Sequence, residues 1–206
     1  MKTLKESILS RSSHGAKGFE AQRRTEMIKE WLKEYDIENY TINRDFTIDV
    51  NESINLYNMD NEEFPEYIQF GVVKGDFDCS TNKLTSLRGC PREVEGDFNC
   101  GDNELTSLEG APVECHSFFC YNNNLITLKG APKETEDFGC DDNKLTDLEG
   151  APKKVGSFNC SYNKLKSLKG APREVSGNFI CNKNPTLFTI GDVRKVCKVK
   201  GEITCY

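Results

Sequence analysis

The sequence lacks any run of eighteen apolar residues, so nothing in it reads as a membrane-spanning helix. Its first ten residues, Met1 to Ser10, have no continuous apolar stretch of the kind a secretory signal needs. The expectation is a protein that stays in the cytoplasm, or in a host cytoplasm if a phage encodes it. Histidine is scarce: only His14 and His116 are present, and the ten cysteines include no Cys-x-x-Cys pair. A zinc site needs four such ligands at short spacings, so none is expected. Lys17-Gly18 follows no strand and is no phosphate loop. No Ser/His/Asp set is recognisable either. Catalysis and a cofactor are therefore not expected. Apolar residues are also sparse, at 36%. That is little for a globule with one three-dimensional core, but enough for a thin, elongated one.

The net charge of −6 is unevenly spread. Residues 1–35 carry eight Lys/Arg and five Asp/Glu, and residues 36–74 carry two and nine. Residues 75–185 carry thirteen and seventeen, and the last twenty-one carry four and two. Binding to nucleic-acid phosphates needs clustered cations, which an acidic chain does not advertise, so no direct nucleic-acid binding is expected.

What the sequence does contain is a repeat. Cys79, Cys100, Cys120, Cys140, Cys160 and Cys181 follow one another at intervals of 21, 20, 20, 20 and 21 residues. Phe stands two residues before each, from Phe77 to Phe179, and Asn three residues after each, from Asn82 to Asn184. In the first five copies Leu stands five and eight residues after the Cys, as in Leu84 and Leu87. Gly-Ala-Pro follows, or Gly89-Cys90-Pro91 in the first copy, and Val, Cys or Thr closes the unit. A fixed period near 20 means a solenoid of stacked coils. Phe-x-Cys has period two, so both side chains point to one side of a short strand. Gly-Ala-Pro supplies a bend, because Gly tolerates positive φ and Pro fixes its own. Stacked strands give a parallel sheet with about 4.8 Å between coils. The Asn column is expected to satisfy backbone groups left open by the turn. The cysteines are expected to be reduced core thiols, because side chains stacked in a ladder do not present a disulfide dihedral.

The pattern Leu-x-x-Leu-x-Gly-Ala-Pro-x-x-Val-x-Gly-x-Phe-x-Cys-x-x-Asn-x-Leu resembles the short bacterial type of leucine-rich repeat over residues 75–185. It departs from that type in using Phe and Cys where Leu and Val or Ile are usual. The Cys-rich variant, with its Lys-Glu-Ser-Ile-Leu-Ser start, is similar to small repeat proteins encoded by tailed bacteriophages. The resemblance implies an α/β solenoid, with short parallel strands on a concave face and an irregular convex side. It also implies a protein-binding module, in the phage case an inhibitor of a host protein such as a defence nuclease.

The flanks are assigned as follows. Residues 1–45 form an N-terminal helical segment and cap, with Met27, Ile28, Trp31, Leu32 and Tyr35 on one face and a linker at 10–18. Residues 46–74 form degenerate coils, 75–185 the solenoid and 186–206 a C-terminal cap in which Cys197 and Cys205 are less constrained than the column.

Residues alternating with Phe and Cys should point out of the core. Asp97, Asp102, Asp137, Asp141 and Asp142 make that face acidic, and Phe119, Tyr121 and Tyr162 interrupt it. Aromatics outside a core are typical binding anchors. An acidic face favours a protein partner with a basic surface and fast, salt-sensitive association. The alternative is a solenoid that sequesters a small molecule or Ca²⁺ through its repeated Asp.

Overall fold

The computed structural model describes residues 4–206, those up to 17 by their backbone alone. The first three residues of the amino-terminal stretch discussed above lie outside it. From Ile48 onward the chain winds as a parallel-strand β-solenoid. Strands Phe77–Asp78, Phe98–Asn99 and Phe118–Phe119 pair in parallel and in register, Phe against Phe. The same ladder continues through Glu134–Gly139 and Lys154–Asn159 to Phe179–Ile180. Each coil is named below by its Phe.

The physical basis of the stack is repetition in depth. Every Phe and Cys of the column is buried, as are both Leu of each coil from Leu84 to Leu168. Phenyl rings of successive coils stand 5.3–5.7 Å apart. A ring spacing above the ~4.8 Å between strands means each ring is offset on the next, the favourable arrangement for parallel aromatics.

The Asn column fastens coil to coil. Asn143 Nδ2 donates to the Cys120, Cys140 and Asp141 carbonyls at 3.0, 3.3 and 3.1 Å. Its Oδ1 accepts from Leu125 N at 2.9 Å. Asn103, Asn123, Asn163 and Asn184 repeat the pattern. One buried amide thus closes its own turn and grips the preceding coil. The bend glycines serve two ends at once. Gly130 has φ +105°, and a Cβ there would lie 2.5 Å from the Leu108 carbonyl oxygen, so conformation and space both require glycine.

Four features differ from the sequence reading. The side taken as irregular carries a second parallel ladder. Its rungs are Phe70–Val73, Glu93–Val94, a single bridge at Glu114, the first halves of Glu134–Gly139 and Lys154–Asn159, then Glu174–Val175 and Lys198–Val199. The Val column is the buried side of these strands and makes them possible. The α/β label is too broad, because among the described residues there are two helices only, α1 at Leu4–Glu34 before the coils and α2 at Ile190–Val196 inserted in the last one. The stretch 10–18 is not a linker but part of α1. Gly15 and Gly18 weaken a helix without ending it, since each costs only ~1 kcal/mol.

The fourth difference is at the C-terminal side. Strand Ile203–Thr204 pairs in parallel with Phe179–Ile180, and Lys198–Val199 pairs with Glu174–Val175. Val199-Lys-Gly-Glu-Ile203-Thr-Cys205 therefore repeats Val94-Glu-Gly-Asp-Phe98-Asn-Cys100, with Ile in place of Phe. Cys205 is buried and continues the Cys column, so it is held like the others. The period stretches to 24 residues here because α2 is inserted. That helix is closed at its start by a reciprocal capping pair between Thr189 and Asp192.

At the other side a hairpin, Tyr40–Ile42 antiparallel to Ile48–Val50, leads into the ladder. Ile54 and Leu56 take the Phe and Cys positions of the first coil and are buried. Ile28, Trp31 and Leu32 of α1 are buried too, and the Trp31 ring meets Phe64 and Phe70 at 6.2 and 6.0 Å.

Candidate binding face

Two positions on the Phe ladder point away from the core: the residue between Phe and Cys, and the residue after Cys. In four coils the first of these is Asn55, Asp78, Asn99 or Asn159. Its side-chain oxygen accepts the amide two residues on, from Tyr57, Ser80, Gly101 and Ser161 at 3.0, 2.8, 3.0 and 3.1 Å. This is a local turn brace. The Phe118, Phe138 and Phe179 coils lack it, because Phe119, Gly139 and Ile180 stand there and none has a side-chain oxygen to offer.

What the Phe118 coil gains is an aromatic platform. Phe119 lies across Gly139, where a Cβ would come within 3.2 Å of the ring. Tyr121 lies across Gly101, where a Cβ would come within 2.5 Å of ring carbon Cζ. Both rings are half-buried. Each seats in a notch left by glycine in a neighbouring coil, Phe119 towards one neighbour and Tyr121 towards the other. Asp141 follows Tyr121 in the same column. Its carboxyl is half-buried, and that burial raises its pKa, helped by the nearby charges of Asp142 and Asp102.

The other predicted residues behave differently. Asp97 and Asp137 are not free carboxylates. Asp76 Oδ1 accepts from Asp97 N, Asp97 Oδ1 from Ser117 N and Asp137 Oδ1 from Ser157 N, at 2.9, 3.0 and 2.9 Å. Each acid holds the backbone of the next coil, and Asn178 does the same for Glu202. Asp102, Asp142 and Tyr162 leave the strand. With Thr81, Asn122 and Lys183 they form a column of left-handed residues, φ +46 to +56°. They therefore make a rim beside the platform. Along it Asn122 Nδ2 donates to Asp102 Oδ1. Tyr162 is well exposed there.

Sequence reasoning missed Tyr57. It follows Leu56 as Tyr121 follows Cys120, and it is exposed. The signal was available once Ile54-x-Leu56 was aligned with Phe-x-Cys.

All ten cysteines are free thiols, and all but the half-exposed Cys115 are buried. Burial pushes the thiols of Cys100, Cys120, Cys140 and Cys160 well above their ordinary pKa. Cys115 is pushed up to about 12, again chiefly by burial. Such thiols are poor nucleophiles at neutral pH. Among the described residues no three His, Cys, Asp or Glu side chains converge as a metal site. A cleft of ≈ 580 Å³ beside the hairpin, lined by Asn43, Asp49, Gly71 and Arg92 among others, contains none of the eight predicted residues. No helix among the described residues is long and apolar enough to cross a membrane.

Comparison of the chain with protein-family models and with curated proteins finds no match.

Proposed function

We propose that this protein is a non-enzymatic, protein-binding repeat module of leucine-rich-repeat type, working in the cytoplasm, with α1 as its cap. Its contact surface is the outward side of the Phe ladder, centred on Phe119, Tyr121 and Asp141. The partner presents a basic surface. The source suggested by the repeat is a tailed phage, and the role an inhibitor that occupies a basic site on a host defence protein.

One observation carries the reading. The Phe118 coil forgoes the turn brace seen at Asn55, Asp78, Asn99 and Asn159 and carries the half-exposed pair Phe119 and Tyr121 instead, with Gly139 of the Phe138 coil making room for Phe119. Departures from a repeat's own structural rule are expected where function overrides stability. Asp141 adds the chemistry: a carboxylate already partly desolvated beside two other acids gains from meeting a Lys or Arg.

The test is affinity capture from a bacterial lysate, with wild type against a Phe119→Ala/Tyr121→Ala/Asp141→Asn variant. A basic protein retained by the first and lost by the second is the expected result. Equal retention by both would place the contact elsewhere.

A further inference from the structure

The charge of this solenoid is polarised along its axis. Residues 36–152 hold eight Lys/Arg against twenty-five Asp/Glu. Residues 153–206 hold eleven against three. The change falls between one coil and the next, and it is sharpest on the Val ladder, a face that the proposed function leaves unused.

The outward side chains of that ladder follow one another at the coil rise, about 4.8 Å. Glu93, Glu95, Glu114, Glu134 and Glu136 line its first half, four of them exposed and Glu93 half-buried. Two cations share that half, Lys133 and an Arg92 already paired with Glu93 at 2.6 Å. Lys153, Lys154, Arg173, Lys198 and Lys200 line the second half, all exposed. One acid shares it, Glu174, paired with Lys200 at 3.3 Å. Val113 and His116 are exposed on the same face.

We propose that the Val-ladder face is a self-association surface, and that its occupant is a second copy of this chain. The argument is charge complementarity under symmetry. A two-fold axis lying in the plane of this face, parallel to its strands and passing between the Glu134 and Lys154 rungs, sets the acidic half of one copy against the basic half of the other. Glu134 and Glu136 then meet the partner copy's Lys153 and Lys154, Glu114 meets Arg173, and Glu93 and Glu95 meet Lys198 and Lys200. Such an isologous contact closes at the dimer and does not run on into a filament. The six rungs span only about 24 Å, and a patch of that length, one sheet wide, belongs with small interfaces below ~1,200 Å². The dimer is therefore weak and dissolves in salt, because exposed charge pairs are screened.

Sedimentation velocity tests this. Wild type forms a dimer at high protein concentration and low salt, and becomes monomeric as salt rises. Lys153→Glu/Lys154→Glu makes the centre of the face acidic on both rungs, and Glu134→Lys/Glu136→Lys makes it basic on both. Each variant alone is expected to be monomeric, with dimerisation weakened more than about tenfold. Mixed in equal amounts they form a heterodimer, because the two altered faces are complementary. Melting curves establish that both are folded, and Lys153→Gln/Lys154→Gln replaces the first if it is not. A wild type that stays monomeric in low salt overturns the proposal, and a shift only on adding short single-stranded DNA would mark the basic half as a polyanion surface instead. A dimer that survives both reversals also overturns it.

Discussion

The middle coils and the first coil solve the same packing problem differently. Between Phe77 and Phe158 each ring lies nearly parallel to the next, at 9–21°. At the first coil Trp31, Phe64, Phe70 and Phe77 meet mostly edge to face, at 61–86°. In-register repetition leaves a middle ring no other orientation, because its neighbours are copies of itself. The first coil, packed by residues from α1 and a loop, is free to tilt its rings. The Asn column shows the same contrast. Met59, not Asn, stands in that position of the first coil. Asn82 of the next coil reaches back and accepts from both Met59 N and Asn61 N, at 2.9 and 3.0 Å. Each Asn grips the coil before it, so the first coil needs none of its own.

The largest expected effect is in the middle stack. Phe118→Ala removes a ring with partners on both sides and should cost about 3–5 kcal/mol in denaturant unfolding. Phe64→Ala should cost less, since the tilted cluster at the first coil can close over the gap. Equal losses would show that the stack and the cluster are energetically alike. Next comes the amide ladder. Asn143→Ala leaves three carbonyls and the Leu125 amide short of a partner and should cost about 1–3 kcal/mol. Met59→Ala, at the same register, should stay within about 0.5 kcal/mol.

A smaller loss, about 0.5–1.5 kcal/mol, is expected for Asp137→Ala, whose carboxylate braces Ser157 N. Asp141→Asn should do the opposite. Its raised pKa means that the folded state disfavours the ionised form more than the unfolded chain does. The charge therefore destabilises at neutral pH. The deficit shrinks as pH falls through the folded pKa, and it is gone below the unfolded value of about 3.9. Thermal melts should show Asp141→Asn above wild type at pH 7 and level with it in acid. The smallest effect is at Thr81, a β-branched residue at φ +56°. Thr81→Gly should stabilise by about 0.4–1 kcal/mol, because that conformation suits glycine.

Much of the interior was legible because it repeats. Phe, Cys, Asn, Leu and Gly recur at fixed offsets, and each column has one physical task. The second ladder was not legible, because its column mixes Val94, Cys115, Thr135 and Val155, and so reads as variable filler. The coil ending at Cys205 was hidden by the inserted α2 and by Ile203 in the Phe position. On the outer face, the sequence located Phe119 and Tyr121 but could not separate two kinds of acid. Asp97 and Asp141 look alike in the sequence. Only the structure shows that the first is spent on Ser117 N while the second is half-buried beside other acids. Cross-coil hydrogen bonds have no signature beyond the period itself.

The proposed binding face is most directly probed by titrating an oligo-lysine peptide into the protein at low and at physiological salt. Wild type should bind, more tightly in low salt. Phe119→Ala/Tyr121→Ala should weaken binding more than about tenfold, while Tyr57→Ala, on the same column three coils away, should not. Equal affinity of wild type and the Phe119/Tyr121 variant, or no binding by wild type at low salt, would contradict the assignment of this face.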